Sequence, residues 1–417
     1  MSTKTRPSLG LAFNRLWSAS LASNLADGLL KTSAPLLAAT LTTDPVTISL
    51  MAALVMLPWL LFAIPIGGLV DRIDRRLLLA TANAVRFLMA ALLAIAVSLD
   101  LASIPLLYAV VLVIGIAEVL YDTAAQSMIP QILGKENLER GNARLEIGAV
   151  TVGEFVGAPL SGLLFAVAIA IPFALGSVGI AVAAVLVLLI PGEFKKAKNL
   201  AEPNAKALGY WGEIRFGIAY LYKDKTLLKL VILTATIGLF FAATGSTMVL
   251  FLTQELSVQP ALFGLVFIIP AIGSILGSVT GPRLSERFGR TRVMALGLTV
   301  SGITTLVTGF SVNVFMFMAL GLITSMCITW WNILLMSTYH QLIPNELFGR
   351  IHGTRRTLVW GMMPIGSVLG GFIAELGLRM PYLIAGGLGL AVTIIGVPFV
   401  LRLAKLLGNS QQESNPA

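Results

Sequence analysis

Gly67-Gly68-Leu69-Val70-Asp71-Arg72-Ile73-Asp74-Arg75-Arg76 closes one long apolar run. Leu284-Ser285-Glu286-Arg287-Phe288-Gly289-Arg290, with Gly281 just before it, closes another. Leucine, acid, arginine and arginine fall at the same spacing in both stretches, 215 residues apart. A charged turn that recurs half a chain later, each time at the end of a membrane-length segment, marks a duplicated membrane protein. Internal repeats of this kind build sites near the middle of a bilayer.

The composition agrees. The 417 residues are 57% hydrophobic and 12% charged, with a mean hydropathy of +0.89. Soluble domains carry about 25% charged residues, so most of this surface is expected to face lipid. Runs of about 20 apolar residues span a bilayer as helices. Twelve are expected, over 17–41, 47–70, 77–98, 104–129, 142–168, 171–191, 228–252, 260–282, 293–311, 313–338, 354–376 and 381–404. The expected fold is an all-α membrane protein, twelve transmembrane helices in two pseudo-symmetric six-helix bundles. The first bundle covers 1–191 and the second 227–407. Between them, 192–226 reads as a cytoplasmic linker. Lys195, Lys196, Lys198 and Lys206 sit beside Pro203, and Tyr210-Trp211-Gly212-Glu213-Ile214-Arg215-Phe216 has the mixed polarity of a surface helix. The polar tail, 408–417, is expected to be disordered.

The net charge of +9 does not point to nucleic acid. All but three of the 29 Lys and Arg lie at the termini or in alternate loops, the exceptions being Lys31, Arg86 and Arg379. That asymmetry is the positive-inside pattern and puts both termini in the cytoplasm. No small-residue cleavage site follows the first apolar run, so no removable leader is expected. Cys327 is alone and reads as a small buried hydrophobe. No GxxxxGK[ST] loop occurs, Gly134-Lys135 lacking the glycine-rich lead-in. No Ser/His/Asp or Cys/His constellation is apparent either. No enzyme activity, cofactor or metal is expected. A second echo supports the duplication: Ile129-Pro130 and Ile343-Pro344 end the fourth and tenth spans, and Gly153 and Gly162 match Gly361 and Gly370 at an offset of 208.

Together these residues resemble the major facilitator superfamily. Its signature between the second and third helices, G-x-L-a-D-R-x-G-R-K, is met by Gly67, Leu69, Asp71, Arg72, Arg75 and Arg76, with Asp74 in place of the usual glycine. The DR-x-DR variant is similar to the branch containing macrolide efflux pumps and the enterobactin exporter. So are Leu138 and Asn142-Ala143 after Ile129-Pro130, and Gly349-Arg350 followed by Pro364-Ile365-Gly366 and Gly370-Gly371. Against the antiporter motif G-x-x-x-G-P-x-x-G-G, Gly153, Gly157, Pro159 and Gly162 align, while Ala158 and Leu163 replace two glycines. The resemblance implies a secondary transporter working by alternating access in a bacterial inner membrane. Its partners would be a small-molecule substrate, protons and the bilayer, and it would act as a monomer. The leading expectation is proton-coupled export of a drug-like or siderophore-like amphipathic compound. Uptake or facilitated diffusion of a metabolite, and a transport-inactive sensor or scaffold, stand as alternatives.

Individual residues extend this reading. Asp71 is expected to begin the third helix, where a carboxylate accepts free N–H groups. The resemblance implies that Asp71, Arg72 and Arg75 join Asp122 in a cytoplasmic gate, with Glu286 and Arg290 as a weaker second copy. Charges in mid-membrane are costly and tend to be functional. Glu118 and Glu154, without a basic neighbour on their own helices, are expected to carry protons. Asp27 is a further candidate, with Lys31 one turn on to neutralise it. Arg86 is expected to serve as a counter-charge or to snorkel toward the cytoplasm. Gly153, Gly157, Pro159 and Gly162 are expected to let the fifth span pack closely and bend. Asn24, Phe240, Trp330, Trp331 and Asn332 are the expected cavity residues. Adjacent tryptophans on a helix point about 100° apart, so at most one of the two faces the cavity.

Topology follows from the charge pattern. A reporter fused after Arg76, Lys198 or Lys405 should be cytoplasmic, and one placed within 253–259 should be external. A cytoplasmic signal from 253–259 would refute the twelve-span reading.

Overall fold

The computed structural model describes residues 9–70, 72–192, 194 and 210–413. In chain order the long helices are α1 (Leu11–Leu41), α2 (Pro45–Val70), α3 (Arg75–Ser98), α4 (Ile104–Ile132), α5 (Leu138–Val167) and α6 (Ile171–Leu188). A shorter α7 (Tyr210–Lys223) leads to α8 (Lys225–Gly245), α9 (Pro260–Phe288), α10 (Arg290–Thr308), α11 (Val314–Leu342), α12 (Asn345–Ala374) and α13 (Gly386–Glu413). Among the described residues, eleven helices are long and apolar enough to cross a membrane. The exception among the long ones is α1, the expected first span. Asn24, Asp27, Lys31 and several serines lower its hydropathy. The last helix continues to Glu413, past the point where an irregular tail was expected, because no proline interrupts 399–413. Lys195–Lys206 of the expected linker and residues 414–417 lie outside the described residues.

The described residues form two compact units. One comprises the described residues of 9–41, 57–194 and 260–265; the other those of 42–56, 210–259 and 266–413. Each unit thus includes a short segment from the opposite half of the sequence. In the first unit, a Cβ on Gly162 would lie 2.7 Å from the Pro260 carbonyl oxygen. In the second, a Cβ on Gly371 would lie 3.0 Å from the Val46 Cα. These two close approaches are the same feature repeated in the two halves.

The duplicated turn is built differently in its two copies. Asp71 lies outside the described residues, and α3 begins only at Arg75. Its cap is Asp74 (φ −61°, ψ 122°), whose Oδ1 accepts from the Arg76 N–H at 2.9 Å. The residue that departs from the family signature therefore does the capping expected of Asp71. It also ties the turn to the chain after α6. Asp74 Oδ2 accepts from the Phe194 N–H at 3.3 Å, Arg75 Nη1 donates to the Phe194 carbonyl at 2.7 Å, and Arg76 Nη1 donates to the Ile190 carbonyl at 3.0 Å. At the equivalent place in the second half stands Gly289 at φ +88°. Glycine enters that region without a Cβ clash, so α9 ends there and α10 starts at once.

Small residues set the helix spacing. Gly28 of α1 faces Gly153 and Gly157 of α5, and a Cβ on Gly157 would meet the Gly28 Cα and the Leu25 carbonyl oxygen, each at 3.0 Å. On α9, Gly273, Gly277 and Gly281 form a stripe against Leu322, Met326 and Trp330 of α11. Close backbone approach through glycines is the usual basis of helix association in lipid. Within α5 the segment Val150–Gly157 takes π-helical bonding just before Pro159, which has no N–H to give the preceding turn.

Gly28→Leu should drive its side chain into the α5 backbone at Gly153 and cost about 1–3 kcal/mol or more. Gly67→Ala, where a Cβ meets nothing within 4 Å, should be close to neutral. Thermal unfolding of the purified protein in detergent compares the two; equal midpoints would remove Gly28 from the α1–α5 interface.

Candidate functional site

The first unit holds a charge cluster on the facing sides of α1, α3 and α4. Arg86 of α3 is fully buried, its side chain 0% exposed. A guanidinium there has to be paired. Nη2 donates to Asp27 Oδ1, and Nη1 donates to Ser23 Oγ at 2.9 Å and Asn83 Oδ1 at 3.2 Å. Ser23 and Asp27 sit one turn apart on α1, as do Asn83 and Arg86 on α3, so each helix presents its pair on one face. The Arg86 Cζ lies 5.6 Å from the Tyr121 ring centroid of α4. Beside this group, Lys31 Nζ donates to Glu118 Oε1 at 2.7 Å.

The pairing differs from what helix spacing suggests. Lys31 lies one turn from Asp27 yet bonds to Glu118, because Arg86 from another helix engages Asp27. Glu118 is therefore an ion-paired carboxylate and not an isolated one, and Arg86 is a buried counter-charge that does not snorkel. Asp122 is one turn beyond Glu118 and within electrostatic range of Glu118, Asp27, Lys31 and Arg86. It belongs to this cluster, while the Arg75 side chain is buried at the α3 start with Phe194. Glu154 is exposed on the π-helical turn of α5. Arg72 and Glu286 are exposed, and Arg290 Nη1 donates to Gln341 Oε1 at 2.6 Å. Asn24 bonds within α1, its Nδ2 donating to the Ser20 carbonyl at 2.7 Å.

The second unit carries an open-sided cavity of about 350 Å³. Phe240 and Phe241 come from α8, Trp331 and Asn332 from α11, and Trp360 and Met363 from α12. Hydroxyls from Thr234, Ser301, Thr305 and Thr393 are interspersed, and Met56 contributes one end. None of the described lining residues is charged. The Ser301 and Thr305 hydroxyls bond to carbonyls of α10 itself. Asn332 is exposed, and among the described residues its amide has no partner. Trp331 lines the cavity. Trp330 points elsewhere, donating from Nε1 to Thr280 Oγ1 at 2.8 Å and packing on Gly281. Pockets of a few hundred Å³, mostly apolar with a few convergent polar groups, suit small organic ligands.

Ser23, Asn83, Tyr121, Trp360 and Met363 were not singled out by sequence. The signals present were the one-turn spacing of Ser23 with Asp27, Asn83 with Arg86, and Trp360 with Met363. Arg379, the positive charge outside the loop pattern, donates from Nε to Glu255 Oε2 at 3.0 Å and from Nη1 to the Gly309 and Ser311 carbonyls at 3.1 and 2.8 Å. It joins three loops of the second unit.

Membrane-length helices and a duplicated charged turn mark a multi-pass membrane protein of the major facilitator type. The family described as transmembrane secretion effector matches residues 4–416, and this chain belongs to it. Solved structures agree in fold. The nucleoside transporter NupG is 14% identical with a TM-score of 0.72, covering 94% of this chain and 99% of its own. A bacterial homologue of the iron transporter ferroportin, in an inward-facing state, is 15% identical with a TM-score of 0.72, covering 93% and 98%. A bacterial homologue of the lysosomal transporter Spinster is 15% identical with a TM-score of 0.67, covering 99% of each. No curated protein matches in sequence. The family and these structures are transporters and not enzymes.

Asp27→Asn leaves the buried Arg86 without its counter-charge and should cost about 3–5 kcal/mol. Lys31→Met, which removes an ammonium 59% exposed, should cost no more than about 1 kcal/mol. Chemical unfolding in detergent measures both. Comparable losses would show that Arg86 does not depend on Asp27.

Proposed function

We propose that the chain is a proton-coupled exporter of an uncharged amphipathic compound, drug-like or siderophore-like, acting as a monomer in a bacterial inner membrane with both termini cytoplasmic. The observation that carries the substrate class is the cavity of the second unit. Aromatic faces from Phe240, Trp331 and Trp360 give a ligand apolar contact. The free Asn332 amide and the nearby hydroxyls give it direction. The absence of charge among the described lining residues disfavours an ionic ligand, whose desolvation would go uncompensated. Support for export comes from the family's description as a secretion effector and from the DR-x-DR resemblance. Support for ion coupling comes from the charge cluster around Asp27, Arg86, Lys31 and Glu118, since intramembrane ionisable groups mark proton and ion pathways. The turn carrying Asp71, Arg72 and Arg75 is assigned to the cytoplasmic gate. Its role is exchange between two states, not substrate contact. Glu286 and Arg290 serve as its second-half counterpart, and the glycines at 153, 157 and 162 with Pro159 serve as the close-packing element.

Proteoliposome flux under an imposed pH gradient, screened over dyes, macrolides and siderophores, tests the function. Outward accumulation driven by the gradient is expected. Gradient-independent equilibration would indicate facilitated diffusion, and inward accumulation would reverse the direction. For a transported compound, Trp331→Ala or Asn332→Leu should raise KM about tenfold, a loss of roughly 1.4 kcal/mol of binding. Unchanged KM in both variants would exclude this cavity as the substrate site.

A further inference from the structure

The charge cluster of the first unit contains an unequal count. Asp27 and Lys31 come from α1, Arg86 from α3, and Glu118 and Asp122 from α4, with Tyr121 of α4 the other titratable group facing them. Arg86 is taken by Asp27 and Lys31 by Glu118. Three carboxylates thus meet two cations. Asp122 is the one left over: among the described residues it makes no ion pair and no hydrogen bond. It lies on the same face of α4 as Glu118, one turn away. An unmatched charge in a membrane-crossing helix is costly, and a single bound proton would cancel it.

We propose that this cluster holds one exchangeable proton, carried by Asp122, while Asp27 and Glu118 remain ionised as the fixed partners of Arg86 and Lys31. The proposal rests on the reading of the chain as a proton-coupled transporter and names the coupling group within it. Binding converts the Asp122 carboxylate to a neutral carboxylic acid and takes the cluster from one net negative charge to none; no other bond forms or breaks. Because the described residues lining the cavity of the second unit carry no charge, a neutral substrate adds nothing to this count. Exchange of one proton for one such molecule moves one positive charge per cycle.

Infrared difference spectra of the purified full-length protein, taken from about pH 5 to about pH 9, count protonated carboxyls without needing a substrate. Wild type should show one titrating carboxylic-acid carbonyl band, and Asp122→Asn should lose it. Lys31→Met leaves three carboxylates facing one cation and should show two bands. The double variant Asp122→Asn/Lys31→Met, with two carboxylates and one cation, should regain one band, now from Glu118. A wild-type band that survives Asp122→Asn overturns the assignment, as does a double variant with none. In proteoliposomes, Asp122→Asn should abolish pH-driven flux of a compound the wild type exports. Driving force supplied to wild type by a sodium gradient at constant pH would overturn the proton as the bound cation. If wild type shows no gradient-driven flux while its infrared band titrates and depends on Asp122, the transport reading fails and the proton site stands.

Discussion

A guanidinium with no exposed surface, placed inside a helix that crosses a membrane, has to find its counter-charge within the protein. Arg86 meets that constraint with Asp27, Ser23 and Asn83, and much of the first unit follows from it. Asp27 and Ser23 are among the polar residues that leave α1 without an apolar stretch long enough to cross a membrane. A polar helix is stable in lipid only when others surround it, and α1 packs with α4, α5 and α6. Such close packing requires small residues on its partners, which Gly153 and Gly157 supply against Gly28 and Gly176 against Leu30. Once Arg86 holds Asp27, Lys31 is released to Glu118, and the leftover charge is confined to Asp122.

The second unit answers a different demand. Its helices approach through glycine stripes, as α9 does with α11, and its cavity is shaped by bulky aromatic groups beside positions with no side chain. Gly238, Gly302, Gly386 and Gly389 all border the cavity; a Cβ on Gly389 would come 3.3 Å from Phe240. The cluster around Arg86 lies in the first unit, and the cavity of the second has no charged residue among its described lining.

The duplicated turn shows how far two copies of one motif drift while keeping a shared task. Both reverse the chain between membrane helices. The first copy does so with a capping carboxylate, Asp74, and hydrogen bonds to Ile190 and Phe194. The second uses a positive-φ glycine, Gly289, and its Arg290 turns to Gln341. The family's glycine at that position needs no replacement of its conformational freedom at Asp74, because φ there is −61°. The side chain gained in exchange ties α3 to the chain beyond α6.

The membrane-spanning nature of the chain, its repeat and most of its helices were legible in the sequence, since they depend on hydropathy and charge summed along short windows. The sequence offered candidates by residue type: Asp27, Glu118 and Glu154 as charges in apolar runs, Asp122 as a gate residue, and Asn24, Phe240, Trp330, Trp331 and Asn332 for a cavity, of which Glu154, Asn24 and Trp330 lie outside the charge cluster and the cavity lining. Which of them meet was not legible. Helix spacing places Lys31 beside Asp27, yet the stronger claim comes from Arg86, 59 residues away. Trp330 and Trp331 are chemically identical neighbours, and only the position of α9 decides that one packs on Gly281 while the other faces the cavity. Properties set by a residue and its near neighbours along the chain can be read from sequence. Pairing among several possible partners is a competition between helices, and only their packing in three dimensions settles it.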